Sequence, residues 1–312
     1  MAVPDFQSFF LPLLELMSDG AERRLSDAVS AVAKRMALTD ADMKQQLPSG
    51  AATTVRNRVG WTRTYFVKAK MFEMVRRGVF KITERGMKVL ADKPKTLNVA
   101  YLRQFPEFKQ FVDGAPGPGG SEDAKNGTTG TGASGSSTIT PQESLESSYL
   151  ALRRTVEADL LVEVRKSDPQ FFENVVVDLL LAMGYGGSRA AAGRAMGGSG
   201  DESIDGVIDQ DVLGLEKVYV QAKRWAAPVG RPEIQKFAGA LQGQQARKGV
   251  FITTSAFTEE ACSFADKINS RIVLLDGEAL GRLMYDYGIG VSPTRTYEVK
   301  RVDADYFDPG EA

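Results

Sequence analysis

Apolar side chains recur at helical spacing from the start of the chain. Phe6, Phe9, Phe10, Leu13, Leu14 and Met17 fall on one face, and Gly20 is placed to end that helix. Leu25, Ala28, Val29, Val32 and Met36 predict a second amphipathic helix, and Thr39 with Asp42 the capped start of a short third. A further helix is expected from near Gly60 to about Met71, with Phe66 and Ala69 inward, Thr64 and Lys68 outward and Arg63 on the flank. The period then shortens to two. Phe72 to Val75 and Val79 to Thr83 alternate around Arg76-Arg77-Gly78, which predicts a hairpin. Helices closed by a two-stranded hairpin make a winged helix.

Gly, Ser, Thr and Pro dominate from Gly114 to Ser137. Such a stretch cannot bury enough surface to offset its ordering entropy, so it reads as a flexible linker between two loosely coupled domains. Beyond it, Thr140 and Glu143 bracket Pro141 as a capping box opening a long helix, and Asp168-Pro169 opens another that carries Phe172, Val176, Leu179, Leu180 and Met183 on one face. Short strands are expected at Ile204 to Ile208 and Lys217 to Lys223, with Asp209 to Gly214 supplying the turn between them. A helix from Pro232, a buried strand at Val250 to Thr254, a helix through Ala261 and Ala265, a strand at Ile272 to Leu275 and a last helix through Leu280 and Met284 follow. That order is mixed α/β.

Composition and charge narrow the chemistry. A chain of 312 residues holds two modest domains. It contains no histidine, which excludes a histidine general base and histidine-ligated zinc. Its single cysteine, Cys262, cannot close an internal disulfide; it is expected on the buried side of a helix, without a catalytic role. The apolar run from Phe9 to Met17, broken by Pro12 and Glu15, is too short to span a bilayer and does not read as a signal peptide. A cytoplasmic, nucleoid-associated protein without membrane contact is therefore the expectation.

The net charge of −1 conceals an uneven distribution. Arg56, Arg58, Arg63, Lys68, Arg76, Arg77 and Lys81 crowd the expected third-helix face and hairpin tip, where Glu73, Glu84 and Asp92 offer little opposition. A winged helix uses those two places on DNA, the helix in the major groove and the wing along the backbone. Scattered lysines usually mark only a solvated face, but this clustering on one motif favours DNA. Arg63 and Thr64 are the candidates for reading bases, and Trp61 is expected to pack rather than stack on a base.

Gln221 and Lys223 lie two apart on one expected strand and project from the same face, and Asp205 on the neighbouring strand can meet them across the pair. One carboxylate, one amide oxygen, the Ala222 carbonyl and one ammonium around a common point suit Mg²⁺, which keeps most of its waters. With no histidine, such a metal would supply hydroxide and charge neutralisation for phosphodiester hydrolysis. Lys223 would orient the attacking water, and Glu173 on the preceding helix would hold water from the far side. By spacing alone, a Gln-x-Lys pair is more often strand decoration.

A chain of motifs changes that weight. Phe172-Glu173, Met183-Gly184-Tyr185-Gly186, Ile204-Asp205-Gly206, the run Leu215 to Trp225 and the run Gly249 to Ser255 occur in order. In these the second half resembles the catalytic domain of the Mrr family of modification-dependent, type IV restriction endonucleases, within the PD-(D/E)xK nuclease superfamily. The first half resembles the family's winged-helix half.

The resemblance implies an αβββαβ core with its active site on the central hairpin. It places Asp205, Gln221 and Lys223 at catalytic positions, with Gln replacing a second acid, and matches Glu173 to the acid of the preceding helix. It implies residues 1–95 as the DNA-binding domain, 96–139 as connecting segment, 140–295 as nuclease and 296–312 as tail. It also implies Mg²⁺ (Mn²⁺ as substitute), double-stranded DNA with methylated adenine or cytosine as substrate, 5′-phosphate products and a homodimer or higher oligomer. No stretch is recognisable as a methylated-base pocket. Gly200-Asp201-Glu202-Ser203 departs from the family's Gly-Asp-Gly-Gly. Two other readings stay open: a nuclease that reads branched DNA shape, and a DNA-binding regulator with an inactive nuclease core.

Overall fold

The computed structural model describes residues 3–113, 138–186, 204–210, 215–300 and 302. The Gly/Ser/Thr-rich stretch 114–137, the 200–203 departure and most of the expected tail lie outside the described residues. Two compact units divide the chain, Met1–Tyr149 with Lys300–Ala312, and Leu150–Val299.

Unit 1 opens with a short 3-10 turn, Phe6–Phe9, running into α1 (Phe10–Leu16). The strand β1 (Arg23–Arg24), α2 (Leu25–Arg35), α3 (Asp40–Lys44) and α4 (Thr54–Lys68) follow, then β2 (Phe72–Arg76) and β3 (Val79–Ile82). Thr39 and Asp42 form the expected reciprocal cap of α3. The helix α4 starts well before Gly60, because the Thr53 hydroxyl accepts from the Arg56 N–H and starts the helix there. The sheet has order β1-β3-β2, all antiparallel, with a bulge between Met74 and Arg76 and Gly78 at φ +72° in the turn.

The expected connecting segment is not purely a connection. After α5 (Glu84–Ala91), two further helices, α6 (Val99–Leu102) and α7 (Pro106–Asp113), bring Val99, Leu102 and Phe108 into the unit's core. That core is aromatic: Phe6, Phe9, Phe10, Phe66, Phe72, Phe80 and Phe108 are each at most 1% exposed. Several meet edge to face, Phe10 and Phe66 at 5.3 Å among them. The start of α8 (Pro141–Lys166), as far as Tyr149, also belongs to unit 1, since Tyr149 and Leu150 mark the unit boundary inside this helix. Its capping box forms as expected, Thr140 N donating to Glu143 Oε2 at 2.7 Å.

In unit 2 the rest of α8 leads to α9 (Pro169–Ala182), capped by Asp168. Then come β4 (Gly206–Asp209), β5 (Lys217–Lys223), α10 (Arg231–Gly243), β6 (Lys248–Thr253), α11 (Glu259–Lys267), β7 (Arg271–Leu275) and α12 (Gly277–Asp286). The sheet order is β4-β5-β6-β7. The β4–β5 pair is antiparallel, while β5–β6 and β6–β7 are parallel and need the helical crossovers α10 and α11. Period-two alternation sends Val218, Val220 and Ala222 into one core with Phe172, Val176, Leu179 and Leu180 of α9. Tyr219 joins the opposite core with Ile234, Phe237 and Leu241 of α10. From α9 the described residues thus run α-β-β-α-β, followed by a helix, a strand and a last helix, and 187–203 between α9 and β4 lie outside the description.

One expectation is corrected here. Cys262 is exposed, not buried, because the inward face of α11 is set by Ala261 and Ala265. A residue one step from Ala261 is turned about 100° around the helix axis, away from that face.

Candidate active site

The strand β5 carries its polar groups at its C-terminal end, just where its antiparallel neighbour stops. Gly206 pairs with Val220, and Asp205 N donates to Val220 O at 2.9 Å. Beyond that point the Asp205 carboxylate continues the ladder in place of backbone: Asp205 Oδ2 accepts from Ala222 N at 2.7 Å and from Gln221 Nε2 at 2.6 Å. Lys223 Nζ stands 3.8 Å from Asp205 Oδ1. The three residues that sequence reasoning drew together are therefore together. Glu173, on the first half of α9, lies within electrostatic reach of both Asp205 and Lys223.

The carboxyl of Glu173 is held above the ordinary carboxylate range. Burial is the larger cause and the charge of Asp205 adds to it, while the Lys223 ammonium and a 3.3 Å hydrogen bond from Gln170 Nε2 act the other way. Gln221 is 1% exposed, and its Oε1 is buried without a hydrogen-bond partner. A buried amide oxygen left unpaired costs free energy, so it marks a place for a missing donor or cation. Among the described residues no group of three or more His, Cys, Asp or Glu could hold a metal. The donor set that fits a hard divalent cation is instead mixed: the Asp205 carboxylate, the unpaired Gln221 oxygen and the Ala222 carbonyl.

A second layer holds this strand end, and sequence reasoning did not single it out by residue. Thr253 Oγ1 donates to Lys223 O at 2.9 Å, Thr254 Oγ1 to Trp225 O at 2.9 Å and Ser255 Oγ to Ala226 O at 3.2 Å. Arg165 Nε reaches Thr254 O at 3.0 Å, and Arg224 Nη1 closes the ring on Arg165 O at 2.6 Å. Thr253 and Thr254 are fully buried. The signal was present in the sequence as three hydroxyl residues ending an apolar strand, a position where buried hydroxyls must find carbonyls.

The basic residues of unit 1 differ in exposure and in partners. Arg56 and Arg76 are exposed, as is Arg77 at the hairpin turn. Lys81 pairs with Glu73 at 3.1 Å, and Lys68 lies over the Phe111 ring at 5.2 Å. Arg63 is half-buried beside Phe80, its guanidinium made less basic by burial and by the charge of Arg56. Thr64 donates its hydroxyl to Gly60 O at 3.0 Å.

Arg58 is a correction. Its Nε meets Glu143 Oε1 at 2.9 Å, with the two side chains only 12% and 8% exposed, and its Nη1 donates to the Val3 and Pro4 carbonyls. It is a cation facing inward, already engaged within unit 1. Asn57 beside it accepts from Thr140 Oγ1 at 2.6 Å and donates to Gln142 Oε1 at 2.7 Å.

Asp205, Gln221 and Lys223 thus meet at one end of the mixed sheet. Residues 164–284 match a family model described as a restriction endonuclease, and residues 6–92 match the Mrr N-terminal domain. The chain is 37% identical over 323 residues to the type IV methyl-directed restriction enzyme EcoKMrr of Escherichia coli (strain K12), covering 99% of this chain and 100% of that protein. It belongs to the Mrr family of restriction endonucleases.

Two solved structures are also similar. The DNA modification-dependent restriction endonuclease AspBHI shares 18% identity over 42% of this chain and 36% of its own, at a TM-score of 0.32. The MspJI restriction endonuclease in complex with a 27-mer oligonucleotide shares 17% over 66% of this chain and 48% of its own, at 0.28.

Proposed function

We propose that this enzyme cuts double-stranded DNA bearing methylated bases, using a divalent cation, with Mg²⁺ the physiological choice. The observation that carries the catalytic part is the convergence of Asp205, Lys223 and an unpaired Gln221 oxygen on one strand end. The substrate part is supported by the methyl-directed relative over the full chain. On this reading unit 2 is a PD-(D/E)xK nuclease and unit 1 a winged helix, with α4 entering the major groove and the β2–β3 hairpin as wing.

Asp205, the Gln221 amide oxygen and the Ala222 carbonyl would hold the cation. When bound, it supplies Lewis acidity and a more acidic water. The chain's own groups do the rest. Lys223 places an ammonium against the phosphate oxygen on which charge develops. Glu173 holds the attacking water by hydrogen bond. The attacking water loses a proton to solvent as its oxygen bonds phosphorus, the P–O3′ bond breaks, and the departing 3′ oxygen takes up a proton from solvent, leaving a 5′-phosphate and a 3′-hydroxyl. One site per chain cuts one strand, so cleavage of both strands calls for a homodimer.

The test is cleavage of methylated and unmethylated plasmid with Mg²⁺, or with EDTA, by wild type, Asp205→Asn and Lys223→Met. Metal-dependent cutting of the methylated plasmid alone, lost in both variants with DNA binding kept, is expected. Equal cutting of both plasmids, or full activity in either variant, would sink the reading.

A further inference from the structure

The face of α4 that carries Arg56, Gly60, Arg63 and Thr64 has helical spacings of four, three and one, so these residues lie along one side. That side borders a cavity of about 230 Å³, walled also by Leu25, Ala52 and Trp61. All of it belongs to unit 1. The back of the cavity is closed by Asn57 and Gln142, whose amides are already joined at 2.7 Å. Its floor is open because Gly60 has no side chain; a Cβ there would meet only Leu25 Cδ2, at 3.8 Å.

The lining has two chemistries side by side. Leu25, Ala52 and the Trp61 ring are apolar and half-buried. Among the described residues neither Arg56 nor Arg63 has a carboxylate partner, and the Arg63 guanidinium lies over the Phe80 ring at 5.9 Å. Uncompensated guanidinium groups beside an apolar recess suit a ligand that sets hydrogen-bond acceptors next to a small apolar group. The major-groove edge of a methylated duplex is such a surface. Guanine offers O6 and N7 to arginine, and a methyl on cytosine C5 or adenine N6 protrudes into the same groove.

We propose that this cavity reads the modification: it takes the methyl group against Leu25, Ala52 and Trp61, while Arg63 bonds a neighbouring guanine edge and Arg56 a phosphate. The proposal rests on the reading above that α4 enters the major groove. It goes beyond that reading by assigning methyl recognition to named residues of unit 1. Burying one methyl is worth about fourfold in affinity, and two half-sites of a dimer about fifteenfold.

Binding of full-length protein to labelled duplexes in Ca²⁺ or EDTA tests it, with each duplex prepared unmethylated, cytosine-methylated and adenine-methylated. Gly60→Ala fills the floor, fits without a clash and favours the helix, so its melting temperature should not fall. The methylated-to-unmethylated affinity ratio should drop to near one in Gly60→Ala, and likewise in Leu25→Ser, where the apolar wall is gone. If both variants keep the wild-type ratio, the cavity is not the reader, while DNA binding by α4 stands. If wild type binds but shows no preference for either methylated duplex, the assignment is likewise overturned. If wild type binds no duplex, or Arg76→Gln leaves its affinity unchanged, the underlying reading of unit 1 fails as well.

Discussion

Removing Arg58 should destabilise unit 1 rather than release DNA. Arg58→Met deletes the partner of a buried carboxylate and leaves the Val3 and Pro4 carbonyls without their donor. Breaking one side of a buried ion pair costs on the order of 3–5 kcal/mol, because the other charge stays desolvated and alone. With 12% and 8% exposure the pair sits near the low end, about 3 kcal/mol. Spread over a unit of roughly 150 residues, that lowers Tm by roughly 6–12 °C.

Glu143→Gln should cost less, because an amide oxygen can still accept from Thr140 N. Calorimetry of the full chain reads the transition, and DNA binding over a salt series reads the alternative. A phosphate contact contributes about 0.9 to the slope of log K against log salt. Were Arg58→Met to leave Tm within 2 °C of wild type and reduce the slope by that amount, Arg58 would be a DNA contact and the clasp argument wrong.

Thr253→Val with Thr254→Val keeps the volume and removes two hydroxyls from the carbonyls of Lys223 and Trp225. Turnover should fall by at least tenfold with KM nearly unchanged, and the Thr→Ser pair should restore it; a matched loss in KM would contradict a positioning role. For Glu173 the raised pKa fixes a sign: the folded state holds the proton to higher pH than the unfolded chain, so its contribution to stability falls as pH rises through that window. Glu173→Gln should therefore melt higher than wild type at pH 7 and equal to it at pH 4, and a variant that melts lower at pH 7 would refute this. Divalent metal at ten times its Kd should stabilise wild type by about 1.4 kcal/mol and Asp205→Asn not at all, in a thermal-shift titration. An equal shift in both proteins would place the cation elsewhere.

Much of unit 2 was legible because its helices bury one face each and its strands are short apolar runs bounded by turn residues. The strand Lys217 to Lys223 was read to the residue, since alternation and flanking turn residues agree there. The cross-strand meeting of Asp205 with Gln221 followed from period two and a short hairpin. The start of α4 was misplaced because Thr53 is a cap without an apolar run behind it, and β1 escaped notice because two arginines carry no alternation. Helices α6 and α7 are too short to show a period. Arg58 and Glu143 are 85 residues apart, and no local pattern announces a contact over that separation.

An amide at position 221 also sets the charge balance beside Asp205. Two carboxylates placed where Asp205 and Gln221 meet would repel until a cation or a proton came between them. The Gln221 amide instead donates Nε2 to the Asp205 carboxylate at 2.6 Å, so the neighbour is a hydrogen-bond partner and not a rival charge. The end of β5 therefore coheres by a neutral donor meeting one anion, an arrangement that asks for no added ion and no second proton to keep two like charges apart.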